Sequence, residues 1–95
     1  MNARLQKIFH KLSLIGIGKE RDFFMENFAN LLLSGMSLID SIEYVANEIK
    51  NPTLKKIMKA MGEDVRSGFA LADAMERTEI FSAHVISLVH IGQTS

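Results

Sequence analysis

The sequence predicts an all-α domain, an antiparallel helical bundle of about five to six short helices, and three observations carry that expectation. Apolar residues recur at three- and four-residue spacings through most of the chain, as one face of a helix requires. No segment alternates apolar and polar residues over a strand's length with a hairpin turn beside it. Third, a helix-Gly-helix unit occurs twice. Ser34-Gly35-Met36-Ser37-Leu38-Ile39-Asp40-Ser41-Ile42-Glu43 returns 33 residues later as Ser67-Gly68-Phe69-Ala70-Leu71-Ala72-Asp73-Ala74-Met75-Glu76, with Ser, Gly, Leu, Asp and Glu at matching offsets. A period in the low thirties is that of one helix-turn-helix unit used twice.

The elements follow in order. Leu5, Ile8, Phe9 and Leu12 lie at i, i+3, i+4, i+7 with Arg4, Lys7 and Lys11 among them, which predicts a basic amphipathic helix over 4–13. Gly16 and Gly18 are expected to break it, so residues 1–18 form an N-terminal arm and 19–95 the bundle. From Lys19 to Ser34 Phe24, Phe28, Leu31 and Leu32 form a stripe that Phe23, Ala29 and Leu33 widen. An arc that broad predicts a helix contacted on more than one side. Gly35 stops it, because glycine enters the left-handed region of a helix C-cap without a Cβ penalty. Ser37 is placed to N-cap the next helix, with Leu38, Ile42, Val45, Ala46 and Ile49 inward. Asn51-Pro52 begins another, Asn as cap and Pro at the first helical position, where an amide proton has no partner to lose. Over 52–67 Leu54, Ile57, Met58, Met61 and Val65 point inward and Lys55, Lys56 and Lys59 outward; Gly68 closes that helix. A short helix over about 71–77 follows. Ser82 then caps a last one carrying Val85, Ile86, Leu88, Val89 and Ile91. That helix is still periodic at Ser95, with no Gly cap and no basic last turn, and a further helix is expected beyond it.

Composition excludes several classes of function. Lys plus Arg equals Asp plus Glu at 11 each, so the chain as a whole has no electrostatic pull toward nucleic acid. With no cysteine there is no disulfide and no thiolate metal site. No run approaches the ~18 uninterrupted apolar residues of a membrane span. His84 and His90, six apart on one helix, point roughly 120° from each other and cannot share a metal there; they read as surface or interface imidazoles. The glycines at 16, 18, 35, 62, 68 and 92 read as isolated stops and breaks, not as a phosphate-binding loop. No nucleophile and base are placed in mutual reach, and neither an enzyme nor a cofactor is expected.

Asp40/Glu43 and Asp73/Glu76 are the recurrent polar constellation. At i, i+3 each pair of carboxylates can approach a common hard cation if oxygens from a second helix join, while a solvated face with ion pairs is the ordinary use of such residues. Met58, Met61 and Met75 sit at core spacings. Phe69 follows Gly68 as Met36 follows Gly35, and a Schellman turn is expected to pin such a residue against the preceding helix.

The order Phe28-Ala29-Asn30-Leu31-Leu32-Leu33-Ser34-Gly35-Met36-Ser37-Leu38, Asn51-Pro52-Thr53-Leu54, Val65-Arg66-Ser67-Gly68-Phe69-Ala70-Leu71-Ala72-Asp73-Ala74-Met75, Ile80-Phe81 and Ile91-Gly92-Gln93-Thr94-Ser95 resembles the secretion F family, the inner-membrane platform proteins of bacterial type II secretion and type IV pili, over residues 19–95. Ser37 and Gln93 depart from that family's Pro and Glu. The resemblance implies a non-enzymatic scaffold, a cytoplasmic six-helix domain that often dimerises, in a protein embedded in the bacterial inner membrane. It further implies that the domain couples a hexameric assembly ATPase to the insertion of pilin or pseudopilin subunits. Met1, eighteen residues before the first family helix, implies the N-terminal of two such domains. The candidate partner-binding residues are the row Lys55, Lys56, Lys59 and the arm Arg4, Lys7, Lys11.

Two other readings compete. A helix pair joined at glycine also describes small nucleic-acid-binding regulators, although Asp40, Glu43, Asp73 and Glu76 would repel phosphates. A membrane-surface adaptor rests on residues 1–18 alone.

Overall fold

The protein's structure, a computed structural model, describes residues 16–94; the helix expected over 4–13, with Arg4, Lys7 and Lys11, lies outside them. The described residues form five helices and no strand: α1 (Gly18–Leu33), α2 (Leu38–Glu48), α3 (Pro52–Arg66), α4 (Leu71–Thr78) and α5 (Ala83–Thr94). Connections of three or four residues join them, and each helix packs chiefly on the one that follows it. The all-α expectation holds, with each boundary within a residue or so of its expected place.

Two turns of one design set the path. At the first, Gly35 takes φ +97°, its N–H donates to the Leu32 carbonyl (3.1 Å), and the Met36 N–H donates back to the Leu31 carbonyl (3.1 Å). At the second, Gly68 takes φ +111°, with Gly68 N–H to Val65 O at 3.1 Å and Phe69 N–H to Asp64 O at 3.0 Å. Both are Schellman motifs, satisfying two of the carbonyls that a helix end orphans. The repeated serine has a role in each: Ser34 Oγ donates to Leu31 O and Ser67 Oγ to Glu63 O. The N-caps also hold where expected. Ser37 Oγ accepts from Asp40 N–H (3.1 Å), Asn51 Oδ1 from Leu54 N–H (3.0 Å) and Ser82 Oγ from Val85 N–H (3.1 Å), with Pro52 opening α3.

The core gathers Phe24 and Phe28 from α1, Ile42, Val45 and Ala46 from α2, Leu54, Met58 and Met61 from α3, and Leu71, Ala74 and Met75 from α4. Phe24 and Phe28, one turn apart, stack with ring centroids 5.8 Å apart. Complete burial of a side chain such as Phe24, Ile42 or Leu54 contributes about 1.5–3 kcal/mol each. Ser41 is buried with no hydrogen-bond partner for its hydroxyl among the described residues, at the position where the second copy of the repeat has the buried Ala74.

Several expectations are corrected. Gly18 does not break the chain; it is the first residue of α1, and the turn is made two residues earlier by Gly16 at φ +83°. The apolar arc of α1 is not covered all round. Leu31 is half-buried, but Phe23, Ala29 and Leu33 are exposed, Leu33 at 87%, because among the described residues α1 packs chiefly on α2. Leu88 and Ile91 of α5 are likewise exposed, and only Val85, Ile86 and Val89 face the core. Ile57 and Val65 are half-buried. Gly62 and Gly92 are not stops. Both lie within helices, and Gly62 is buried where α3 crosses α2: a Cβ there would come within 3.2 Å of Ile42 Cγ2, so the missing side chain permits the close approach. Phe69 is 40% exposed, and its ring lies beneath the Arg77 guanidinium.

Gly68→Val tests the turn. A Cβ at residue 68 meets nothing within 4 Å, so any loss comes from forcing a β-branched residue to positive φ. We expect destabilisation of more than about 1 kcal/mol, read as a lowered Tm. An unchanged melting curve would contradict the assignment.

Candidate functional site

The start of α1 is bonded to two distant turns of the chain. Lys50 and Asn51, between α2 and α3, have backbone N–H groups that no helix satisfies. The Glu20 carboxylate accepts from both, at 2.9 Å through Oε2 and 3.3 Å through Oε1. The next residue, Arg21, donates through Nη1 to the Ile80 carbonyl (3.2 Å) in the α4–α5 connection and lies 3.4 Å from Asp22. Adjacent side chains thus tie α1 to two turns at once. Sequence reading missed both, because an exposed Glu-Arg pair in a first helical turn carries no sign of where its partners lie.

A second long-range bond repairs a defect in the repeat. Ser37 caps α2, but its counterpart before α4 is Ala70, which has no side-chain acceptor. The Oε1 of Gln93, from α5, accepts from the Ala72 N–H at 2.8 Å instead. The departure to Gln at residue 93 therefore keeps an acceptor oxygen over the start of α4.

On the α2–α3 face, Arg66 donates to Glu43 and lies 3.8 Å from Glu63. The hydrogen bond from Arg66 to Glu43, reinforced by that carboxylate's charge, raises the guanidinium pKa above its ordinary value. Lys59 joins Glu43, Asn47 and Glu63 around a small surface hollow. Lys56 and Lys59 are exposed and Lys55 half-buried, so the basic row is accessible along α3. At the far end of α3, Arg77 of α4 donates to Asp64 Oδ2 (2.9 Å) while its guanidinium sits 4.5 Å from the Phe69 ring centroid. Arg77 thereby closes over the Gly68 turn.

The acidic candidates part company. Glu43 is paired with Arg66, and Asp40 is exposed on the turn before it. Asp73 and Glu76 border a groove between α4 and α5 with no ion-pair partner among the described residues. Among the described residues no three His, Cys, Asp or Glu side chains converge as a metal site would need. His84 and His90 are both exposed, and His90 faces the same groove.

Two substitutions test these contacts. Glu20→Ala frees two backbone amides; we expect a loss of about 1 kcal/mol, with hydrogen exchange at Lys50 and Asn51 accelerated beyond the global change. Ala70→Ser supplies the absent cap to the Asp73 N–H, which Gln93 does not use. It should raise stability by about 0.5–1 kcal/mol in a melting experiment.

The chain matches known proteins over most of its length. Residues 24–95 match the family described as "Type II secretion system (T2SS), protein F". The chain is 29% identical over 77 residues to a type IV pilus assembly protein PilC of Thermus thermophilus, covering 81% of this chain and 19% of that protein. A PilC of Myxococcus xanthus is 29% identical over 77 residues (80% and 18%), and one of Pseudomonas aeruginosa 26% over 90 (88% and 24%). The chain thus spans about a fifth of the length of these relatives. Among the described residues no helix is long and apolar enough to cross a membrane. With three quarters of its length matched, including both glycine turns, the chain belongs to the type II secretion system protein F family.

Proposed function

We propose that this chain is a cytoplasmic domain of an inner-membrane platform protein in type IV pilus assembly or type II secretion. It acts as a non-enzymatic scaffold, with residues 1–18 as an arm and 19–95 as the secretion F-type bundle. The observation that carries the reading is the family match over residues 24–95, together with relatives named for type IV pilus assembly. In this role the domain couples an assembly ATPase to the addition of pilin or pseudopilin subunits, either alone or as a homodimer.

The mechanism is transmission of displacement. Glu20 and Arg21 bond to the turns after α2 and α4, so a push on the start of α1 moves both turns with it, as a rigid body. The contact surface for the ATPase is the basic row Lys55, Lys56 and Lys59, with Arg4, Lys7 and Lys11 of the arm as the second candidate. The row sits on α3, whose buried side is anchored by Leu54, Met58 and Met61, so force applied there reaches the core directly.

Lys55→Glu, Lys56→Glu and Lys59→Glu together, in the full-length protein, test the surface. We expect unchanged helicity and abundance, loss of ATPase co-purification, and loss of filament assembly or secretion. Retained co-purification would remove the row from the interface. Deletion of the whole gene with no effect on filaments or secretion would overturn the platform reading itself.

A further inference from the structure

We propose that the groove between α3 and the end of α4 takes an arginine or lysine side chain of a protein partner, with Glu79 as its anchor. Four of the described residues stand at positive φ, and three of them are glycine: Gly16, Gly35 and Gly68. The fourth is Glu79, at φ +61° and ψ +18°, the residue that ends α4. Its N–H donates to the Glu76 carbonyl at 3.1 Å, a bond that any residue but proline can make. A left-handed cap favours glycine, because a Cβ there crowds the following carbonyl. The turn has no need of a carboxylate, and a long side chain held against that preference points to a use for the side chain itself.

Glu79 borders a groove of about 610 Å³, bounded by Ile57, Ala60, Met61 and Asp64 of α3 and by Arg77 across from them. Among these residues two carboxylates stand against one guanidinium. That guanidinium is committed: Arg77 Nε donates to Asp64 Oδ2 at 2.9 Å, and its charge lies 4.5 Å from the centroid of the Phe69 ring. The Arg77–Asp64 pair is neutral as a unit, so the charge of the exposed Glu79 carboxylate sets the sign of the groove. The last carbonyls of α4 add the negative end of its dipole at the same place.

An apolar floor with a negative charge at one end selects its occupant. Ile57, Ala60 and Met61 suit an aliphatic stem, and Glu79 suits a cation at the stem's tip. Arginine and lysine are the side chains that carry both. A bare divalent ion does not fit, since among the described residues no three His, Cys, Asp or Glu side chains converge, and the apolar floor offers it no oxygen. A site of this kind recognises a segment of another protein in which a basic residue is flanked by apolar ones. None of this depends on the platform reading.

Glu79→Gly separates the two roles of the position. We expect its Tm to rise by a few degrees while binding is lost, a pairing that a purely structural residue would not give. The binding probe is the peptide acetyl-Leu-Arg-Leu-amide, titrated to millimolar concentration into the isotope-labelled full chain and followed by amide chemical shifts. Saturable shifts should be confined to Ile57, Ala60, Asp64 and Glu79 and their neighbours, and should fall severalfold in Glu79→Gly. Glu79→Gln keeps the Cβ at the same backbone angles and removes the charge, so it should lose the peptide with Tm unchanged. Equal shifts from the peptide with norleucine in place of arginine would overturn the proposal, because the floor alone would then account for binding. So would undiminished shifts in Glu79→Gly, or a Tm lowered by that substitution, which would make the glutamate a stabilising cap.

Discussion

The reversal of direction at Gly35 and again at Gly68 is the constraint on which the rest of the bundle hangs. Each turn needs one residue at positive φ, and glycine adopts it at no steric cost. With that residue in place, two backbone hydrogen bonds close the preceding helix and the chain doubles back within four residues. α1 is thereby laid on α2, and α3 on α4. The α2–α3 connection, held by the Asn51 cap and Pro52, then joins the two units through a crossing at which a Cβ on Gly62 would come within 3.2 Å of Ile42 Cγ2. A turn that opened at either glycine would separate the faces that bury Phe24, Ile42, Leu54 and Met75.

The two copies share a backbone design and differ in how it is stabilised. The first uses local chemistry: Ser37 caps α2 from the adjoining residue. The second uses distant chemistry, with Gln93 standing over the start of α4 and Arg77 folded between Asp64 and Phe69. A local cap is dispensable where another element supplies the acceptor. The exposed Phe69, read by itself as an anchor, makes sense only beside Arg77.

This contrast also marks what was legible in the sequence. Helix limits, N-caps and glycine turns were readable because their determinants lie within four residues of one another. The core positions Phe24, Ile42, Leu54, Met58 and Met75 followed from the same short periodicity. Contacts set by tertiary register were not readable. Nothing near Glu20 points to Lys50 and Asn51, 30 and 31 residues away, and nothing near Gln93 points to Ala72. Periodicity likewise cannot say how many sides of an apolar helix find a neighbour, which is why Phe23 and Leu33 were expected inside and lie outside. The lysines expected outward on α3 lie at its surface, Lys56 and Lys59 exposed and Lys55 half-buried, while the inward use of Gly62 was mistaken for a break.

Sequential packing has a consequence for the order of assembly. Helices that rest chiefly on their chain neighbours form contacts of short loop length, and such topologies fold quickly. The Arg21 bond to Ile80 is different, closing a separation of 59 residues. During synthesis the α1–α2 and α3–α4 units can each form as soon as they leave the ribosome, yet the start of α1 cannot be secured until the segment after α4 has emerged. The end of the domain that carries the N-terminal arm is therefore the last to be locked, and its amides report completion of the fold.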